Sequence, residues 1–173
     1  MKRALITWFM IFLLTICAGS AAMAAGTDPL AFSVTTLDGK ELDSSVMAEY
    51  DLVMMNYWAE WCGPCMGELP ELERIHQQYP NVLLLGAYVD RNDQKALKAA
   101  ASAAITYPLF RITEPMYDYL EIQPSGNFPI PQTCFFDREG NMIGEPMIGV
   151  RDYDGWAKIV EEMLEVTQKE PGK

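Results

Sequence analysis

Two cysteines separated by two residues sit where an apolar run gives way to helix-compatible residues, in the order Trp58-Ala59-Glu60-Trp61-Cys62-Gly63-Pro64-Cys65. This junction constrains the fold: a buried strand must end in a tight exit, and the helix that follows must carry both sulfurs at its start. Pro64 suits a first helical turn, where its missing N–H costs nothing. The unpaired N–H groups of that turn and the positive end of the helix dipole lie near the first sulfur. Such surroundings favour the thiolate, the form in which cysteine attacks a disulfide.

Two other uses of such a pair have to be weighed. A structural zinc wants four ligands, and only Cys17, Cys134 and the single His76 remain, none of them paired at short spacing. A bridge that merely staples a fold usually closes a longer loop. The spacing therefore points to a dithiol that opens and closes, with no metal and no cofactor other than a redox-active Cys62–Cys65 disulfide.

Residues 1–24 read as a signal peptide or signal anchor. Met1-Lys2-Arg3 is basic, Ala4 to Ala18 is apolar apart from Thr7 and Thr15, and Ala22-Met23-Ala24 has the small-residue pattern of a cleavage site. No charge interrupts Leu5 to Ala25, so a retained segment is also able to span a bilayer. Cys17 reads as an ordinary residue of this apolar stretch, since Leu14-Thr15-Ile16 lacks the small residue that lipid-processing sites place before their cysteine. The expected location is extracytoplasmic, in the periplasm or on the outer face of the cytoplasmic membrane, where disulfides persist.

The remaining chain, roughly 150 residues, suits one domain with a single core. With 24 acidic against 13 basic residues the formal charge is −11. That balance argues against nucleic acid or an anionic membrane as a partner, because both select basic surfaces.

Along the chain, Ala31 to Thr36 and Glu41-Leu42 flank the turn dipeptide Asp38-Gly39, which predicts an opening β-hairpin. Leu52 to Trp58 is nearly continuous in apolar residues, as a central strand covered on both faces requires. Met66, Leu69, Leu72, Ile75 and Tyr79 predict a helix with one buried stripe. Val82 to Val89 reads as the next strand. Asp93 is the expected cap of a helix over Gln94 to Ala104, and Thr113 with Pro115 opens a short helix through Leu120. Thr133 to Asp137 and Met142-Ile143 form a second predicted hairpin. A last helix starts near Asp152 and buries Trp156, Ile159, Val160, Met163 and Leu164. Residues 168–173 form a polar tail. This order gives an α/β protein with a mixed sheet and helices on both faces.

These residues resemble the thioredoxin superfamily and, within it, the extracytoplasmic TlpA/ResA-like thiol-disulfide oxidoreductases. The resemblance covers residues 29–167. It is carried by the Trp-Cys-Gly-Pro-Cys run, by Glu68 ahead of Leu69-Pro70, by the opening hairpin and by the extra helical segment after Asp90. It is also carried by Pro131-Gln132-Thr133-Cys134-Phe135-Phe136-Asp137, which is similar to a family segment beginning with a cis-proline that faces the thiols.

The resemblance implies a thioredoxin-like fold: a central mixed sheet flanked by helices, with an N-terminal β-hairpin and a helical insert. It implies a thiol-disulfide oxidoreductase, with client proteins such as apocytochrome c or methionine sulfoxide reductases as partners and a membrane electron donor of the thiol-transporting type. The expected assembly is a monomer without nucleic acid. The Gly-Pro dipeptide is that of reducing thioredoxins, at about −270 mV, rather than of the oxidant DsbA, at about −120 mV. A disulfide-forming oxidase or isomerase is the nearer alternative. A non-catalytic metal carrier is the remoter one.

Each candidate residue has a chemical task. Cys62, expected to be exposed at the helix start, is the nucleophile, and Cys65, one turn further in, is the shielded resolving thiol. Glu68 is either a solvated carboxylate complementing the helix dipole or, as the resemblance implies, a partly buried acid that moves a proton near the thiols. Asn56 stands where cytoplasmic thioredoxins carry a buried aspartate, and an amide cannot accept that proton. Trp61, Gly63, Pro64, Ile130 and Pro131 are the candidate client-binding positions. If cis, Pro131 projects toward Cys62 and leaves the Ile130 backbone for an extended client segment; its plain alternative is a loop proline beside Pro129. Residues 123–129 either shape partner choice or form a surface insertion. Pro70 is expected to kink its helix. Trp58, Met54, Met55, Met66 and a buried, inert Cys134 read as core, and His76 as a solvated helix residue.

Overall fold

The segment Leu52–Trp58 (β3), apolar except for Asn56, forms the centre of the sheet, and every one of its residues is buried. The computed structural model describes residues 28–120 and 127–169. Residues 1–24, read as signal peptide or anchor, lie outside them, as do most of the 123–129 segment and the end of the polar tail. Val82–Tyr88 (β4) runs parallel to β3, with Leu52 opposite Val82 and Trp58 opposite Tyr88. On the other side Gln132–Phe136 (β6) pairs antiparallel with β3, bringing Thr133 opposite Asn56. Leu109–Arg111 (β5) and Met142–Ile148 (β7) close the edges, giving the order β5-β4-β3-β6-β7. Ser33–Thr35 (β1) and Glu41–Asp43 (β2) form the separate opening hairpin.

Because side chains alternate along a strand, β3 feeds two cores. Leu52, Met54 and Trp58 meet Leu69, Leu72 and Ile75 of the helix Gly63–Gln78 (α1) and Trp156 and Val160 of the helix Tyr153–Lys169 (α4). Ala96, Ala99 and Ala100 of the helix Asp93–Ser102 (α2) join that cluster. Val53, Met55 and Tyr57 face Phe32 and Val34 of the hairpin segment, Met47 of the 3₁₀ turn Ser44–Glu49, and Met116 of the short helix Glu114–Tyr117 (α3). Both faces are thus covered, which explains why β3 carries no alternation of polar residues.

Several boundaries differ from the sequence expectations. Asn92, not Asp93, caps α2, its side chain accepting the Lys95 N–H. The same helix stops at Ser102, because Ala104 has a positive φ of 54°. α3 ends at Tyr117 rather than Leu120, and Thr113 makes no side-chain capping bond. β7 extends beyond Ile143 to Ile148 despite Gly144 and Pro146, since an edge strand has one side free of the ladder and tolerates a missing N–H. α4 continues to Lys169, into the expected tail. α1 remains one helix through Pro70, whose ring is exposed.

Candidate active site

The exit from β3 places the cysteines at the head of α1. Cys62 is its N-cap with extended backbone, and Pro64 occupies the first turn. Cys62 and Cys65 are joined in a disulfide, and the Cys65 backbone N–H donates to Cys62 Sγ at 3.2 Å. That N–H, with the dipole of a 16-residue helix behind it, is placed to stabilise negative charge on Cys62 Sγ once the bridge opens. Cys62 is less open than its place at a helix tip suggested: it is 6% exposed against 1% for Cys65. The Ile130 carbonyl approaches Cys62 Sγ to 3.6 Å.

The five candidate client-binding residues surround this sulfur unevenly. Gly63 and Pro64 are exposed, and Trp61 is 64% exposed. Ile130 is half-buried and Pro131 is buried. The Ile130–Pro131 peptide bond is cis. Gln132 Nε2 donates to Pro129 O at 2.8 Å, and Pro131 O accepts the Gly149 N–H at 3.0 Å, so the turn is tied to the end of β7.

Glu68 is the most unusual group in the site. It lies one turn beyond Cys65 on the same helix face, and it is 1% exposed rather than solvated. Its Oε1 accepts the Arg151 backbone N–H at 2.8 Å and the Trp156 indole N–H at 3.0 Å. Among the described residues its Oε2 receives only a long contact from Asn56 Nδ2, 3.4 Å, and the same amide also donates to Thr133 Oγ1 at 3.1 Å. Burial raises the Glu68 pKa above the ordinary carboxylate range, and these donors with the Arg151 charge oppose the rise only in part.

Arg151 and Trp156 are the functional neighbours that the sequence did not reveal. They lie 83 and 88 residues from Glu68, and Trp156 reads in sequence only as one member of an apolar stripe. The remaining expectations concern core residues. Trp58, Met54 and Met55 are fully buried and Met66 is half-buried. Cys134 is buried, its thiol directed at Tyr119 O at 3.3 Å, and burial pushes its pKa up to about 12. His76 departs from expectation: it is half-buried, its ring packs edge-on against Tyr107, and its Nδ1 finds no hydrogen-bond partner among the described residues.

A mixed sheet whose central strand delivers a two-residue-spaced disulfide to a helix N-terminus, opposite a cis-proline turn, defines a thioredoxin-fold thiol-disulfide oxidoreductase. The thioredoxin family model matches residues 33–123, more than half of the chain, and the chain belongs to that family. Among curated relatives, the thioredoxin-like protein YneN of Bacillus subtilis is 36% identical over 78 residues, which span 45% of this chain and 45% of YneN. The thiol-disulfide oxidoreductase ResA of Bacillus thuringiensis is 23% identical over 161 residues, 84% of this chain and 89% of ResA. Among solved structures, a thiol:disulfide interchange protein of the thioredoxin family from Chlorobium tepidum superposes with a TM-score of 0.71 at 25% identity, over 83% of this chain and 99% of its own.

Proposed function

We propose that this protein is an extracytoplasmic reductase of disulfides in client proteins. The observation that carries the reading is the Cys62–Cys65 bridge at the head of α1, with Cys62 slightly more exposed than Cys65 and an N–H donor aimed at its sulfur. The leader-like composition of residues 1–24 and the similarity to ResA support the location. Gly63-Pro64 between the cysteines supports the reducing direction.

In the cycle, the Cys62 thiolate attacks one sulfur of a client disulfide, forming a mixed disulfide and expelling the other client sulfur as a thiolate. The Cys65 thiol then gives up its proton to Glu68, and Cys65 Sγ attacks Cys62 Sγ. The second client thiolate leaves and the Cys62–Cys65 disulfide remains. Two electrons have passed to the client, and its two thiolates take up protons from Glu68 and water. A membrane donor of the thiol-transporting type returns the electrons. Clients of the apocytochrome c or methionine sulfoxide reductase kind fit this chemistry, and the protein works as a monomer without a further cofactor. Trp61, Gly63, Pro64 and the Ile130-Pro131 turn form the surface that an extended client segment meets.

Two measurements test this reading together. The Cys62/Cys65 potential is expected near that of thioredoxin, about −270 mV; a value close to about −120 mV makes the protein an oxidant instead. Cys65→Ser, which stalls the cycle at the mixed disulfide, is expected to retain a small, reproducible set of extracytoplasmic proteins on Cys62. Recovery of unrelated thiol proteins alone contradicts the client-reductase reading.

A further inference from the structure

The two oxygens of Glu68 are not equivalent. Oε1 is held by two N–H donors, Arg151 N at 2.8 Å and Trp156 Nε1 at 3.0 Å, while among the described residues Oε2 has only the Asn56 amide at 3.4 Å. An oxygen that accepts two N–H bonds has little capacity left for a proton, whereas an oxygen with one long contact retains it. We propose that Trp156 is a positioning residue for the proton-carrying acid: with the Arg151 N–H it locks Oε1 as a permanent acceptor and leaves Oε2 as the oxygen that takes and returns the proton. This inference rests on the reading of Glu68 as the acceptor of the Cys65 proton.

The packing makes the indole suited to this task. Trp156 is fully buried, with Phe135 tilted against it at 6.4 Å, and the Arg151 guanidinium lies over the ring at 4.8 Å. The N-terminal end of α4 is fixed to α1 by a second bond, Tyr153 N to Glu71 Oε2 at 3.1 Å. Asp152 caps the helix by accepting the Gly155 N–H at 2.9 Å. The indole therefore approaches Glu68 from a rigid helix end, and χ rotation of the acid that exchanges its oxygens costs two hydrogen bonds to charge. The titratable and charged groups facing Glu68 are few. They are the Arg151 guanidinium, the Tyr107 hydroxyl, whose own pKa the Glu68 charge helps to raise, and the cysteine pair one turn back. Asn56 and Thr133 on the sheet are neutral.

The role is expressed in the resolving step. As Cys65 Sγ bonds to Cys62 Sγ, the Cys65 proton passes to Oε2, and the electron pair of the breaking Cys62–client bond leaves with the client sulfur. The proton then goes from Oε2 to that thiolate directly or through water, so Glu68 ends the step ionised as it began. Fixing which oxygen is free fixes where the proton is received, and Trp156 acts on the step through its bond to Oε1.

The test uses the full chain and follows Glu68 by carboxyl carbon-13 NMR titration, together with the pH profile of glutathione release from a preformed Cys62–glutathione mixed disulfide. Trp156→Phe keeps most of the ring volume and removes the N–H. The Glu68 midpoint is expected to rise by about one pH unit, since a donor to the ionised form is lost, and the release profile to move up by the same amount. In a Glu68→Gln background the profile should flatten, and Trp156→Phe should add nothing to it. A Glu68 midpoint unmoved by Trp156→Phe overturns the positioning role. A release profile unmoved by Glu68→Gln overturns instead the underlying reading of Glu68. Should Trp156→Phe fail to fold, the unmutated protein still decides: the Trp156 indole proton must titrate with the Glu68 midpoint, and an indole resonance indifferent to it contradicts the inference.

Discussion

Trp61 donates its indole N–H to Asp90 Oδ2 at 2.9 Å while 64% of the residue remains exposed. An aromatic ring held out in water by a carboxylate costs apolar hydration that a folded monomer does not need. Its place beside Cys62 fits the proposed role of a wall for a client segment. Trp61→Ala is therefore expected to raise KM for a protein disulfide about three- to tenfold. Turnover of a small disulfide such as oxidised glutathione should change little. Steady-state kinetics with both substrates checks the contrast, and an equal loss on both contradicts a docking role. Asp90→Ala should shift the protein substrate in the same direction by less.

Glu68 also links pH to stability. Its pKa is raised in the folded state, so the stability associated with its protonated form is fully present below the ordinary carboxylate pKa and is lost as pH rises through the folded value. Glu68→Gln cannot ionise and escapes that loss. The Tm of this variant is expected to gain on the unsubstituted protein as pH goes from about 4 to about 8. Thermal unfolding of the oxidised forms across that range measures the gap, and a constant difference means that the acid is not perturbed by burial.

The third cysteine of the domain should take no part in exchange. Cys134 is enclosed and its thiol pKa is pushed up to about 12, so at neutral pH it holds almost no thiolate. Native reduced protein treated with iodoacetamide is expected to be modified at Cys62 and Cys65 and spared at Cys134, which reacts only after unfolding. Cys134→Ala should leave the Cys62/Cys65 potential unchanged.

Glu73 shows what a buried carboxylate does away from the thiols. It accepts the Thr106 N–H at 2.8 Å and the Thr106 hydroxyl at 2.6 Å, tying the loop before β5 to α1. Glu73→Ala leaves the Thr106 N–H without that partner and is expected to lower stability by about 2–3 kcal/mol in denaturant unfolding. Glu73→Gln, which keeps an acceptor oxygen, should lose less.

What the sequence revealed followed from patterns of short range. The nearly continuous apolar run of β3, the Cys-Gly-Pro-Cys helix start and the Trp156/Val160 stripe of α4 each declare themselves within one element. What it concealed depends on distant partners. β5 is three residues long and exists because Gly86 and Tyr88 of β4 pair with Leu109 and Arg111. The extension of β7 through Gly144 and Pro146 depends on its position at the sheet edge. Asn92 outcompetes Asp93 as a cap although both residues suit that role, and only backbone geometry decides between them. At the site, the cysteines were legible by spacing, and the acid only through the family resemblance. The donors that hold Glu68 were not, since a backbone N–H carries no residue signature and the Trp156 indole is indistinguishable from core in one dimension.

The proposed cycle requires Cys62 to be the attacking sulfur, presented at the head of α1 with the Cys65 N–H directed at it. Timed alkylation of the reduced, folded protein, with each cysteine followed by mass spectrometry from pH 5 to 9, reads this directly. Cys62 is expected to react first, with a midpoint below the value of about 8.5 for a free cysteine, and Cys65 to follow far more slowly. Faster labelling of Cys65, or no reaction of either thiol at neutral pH, would contradict it.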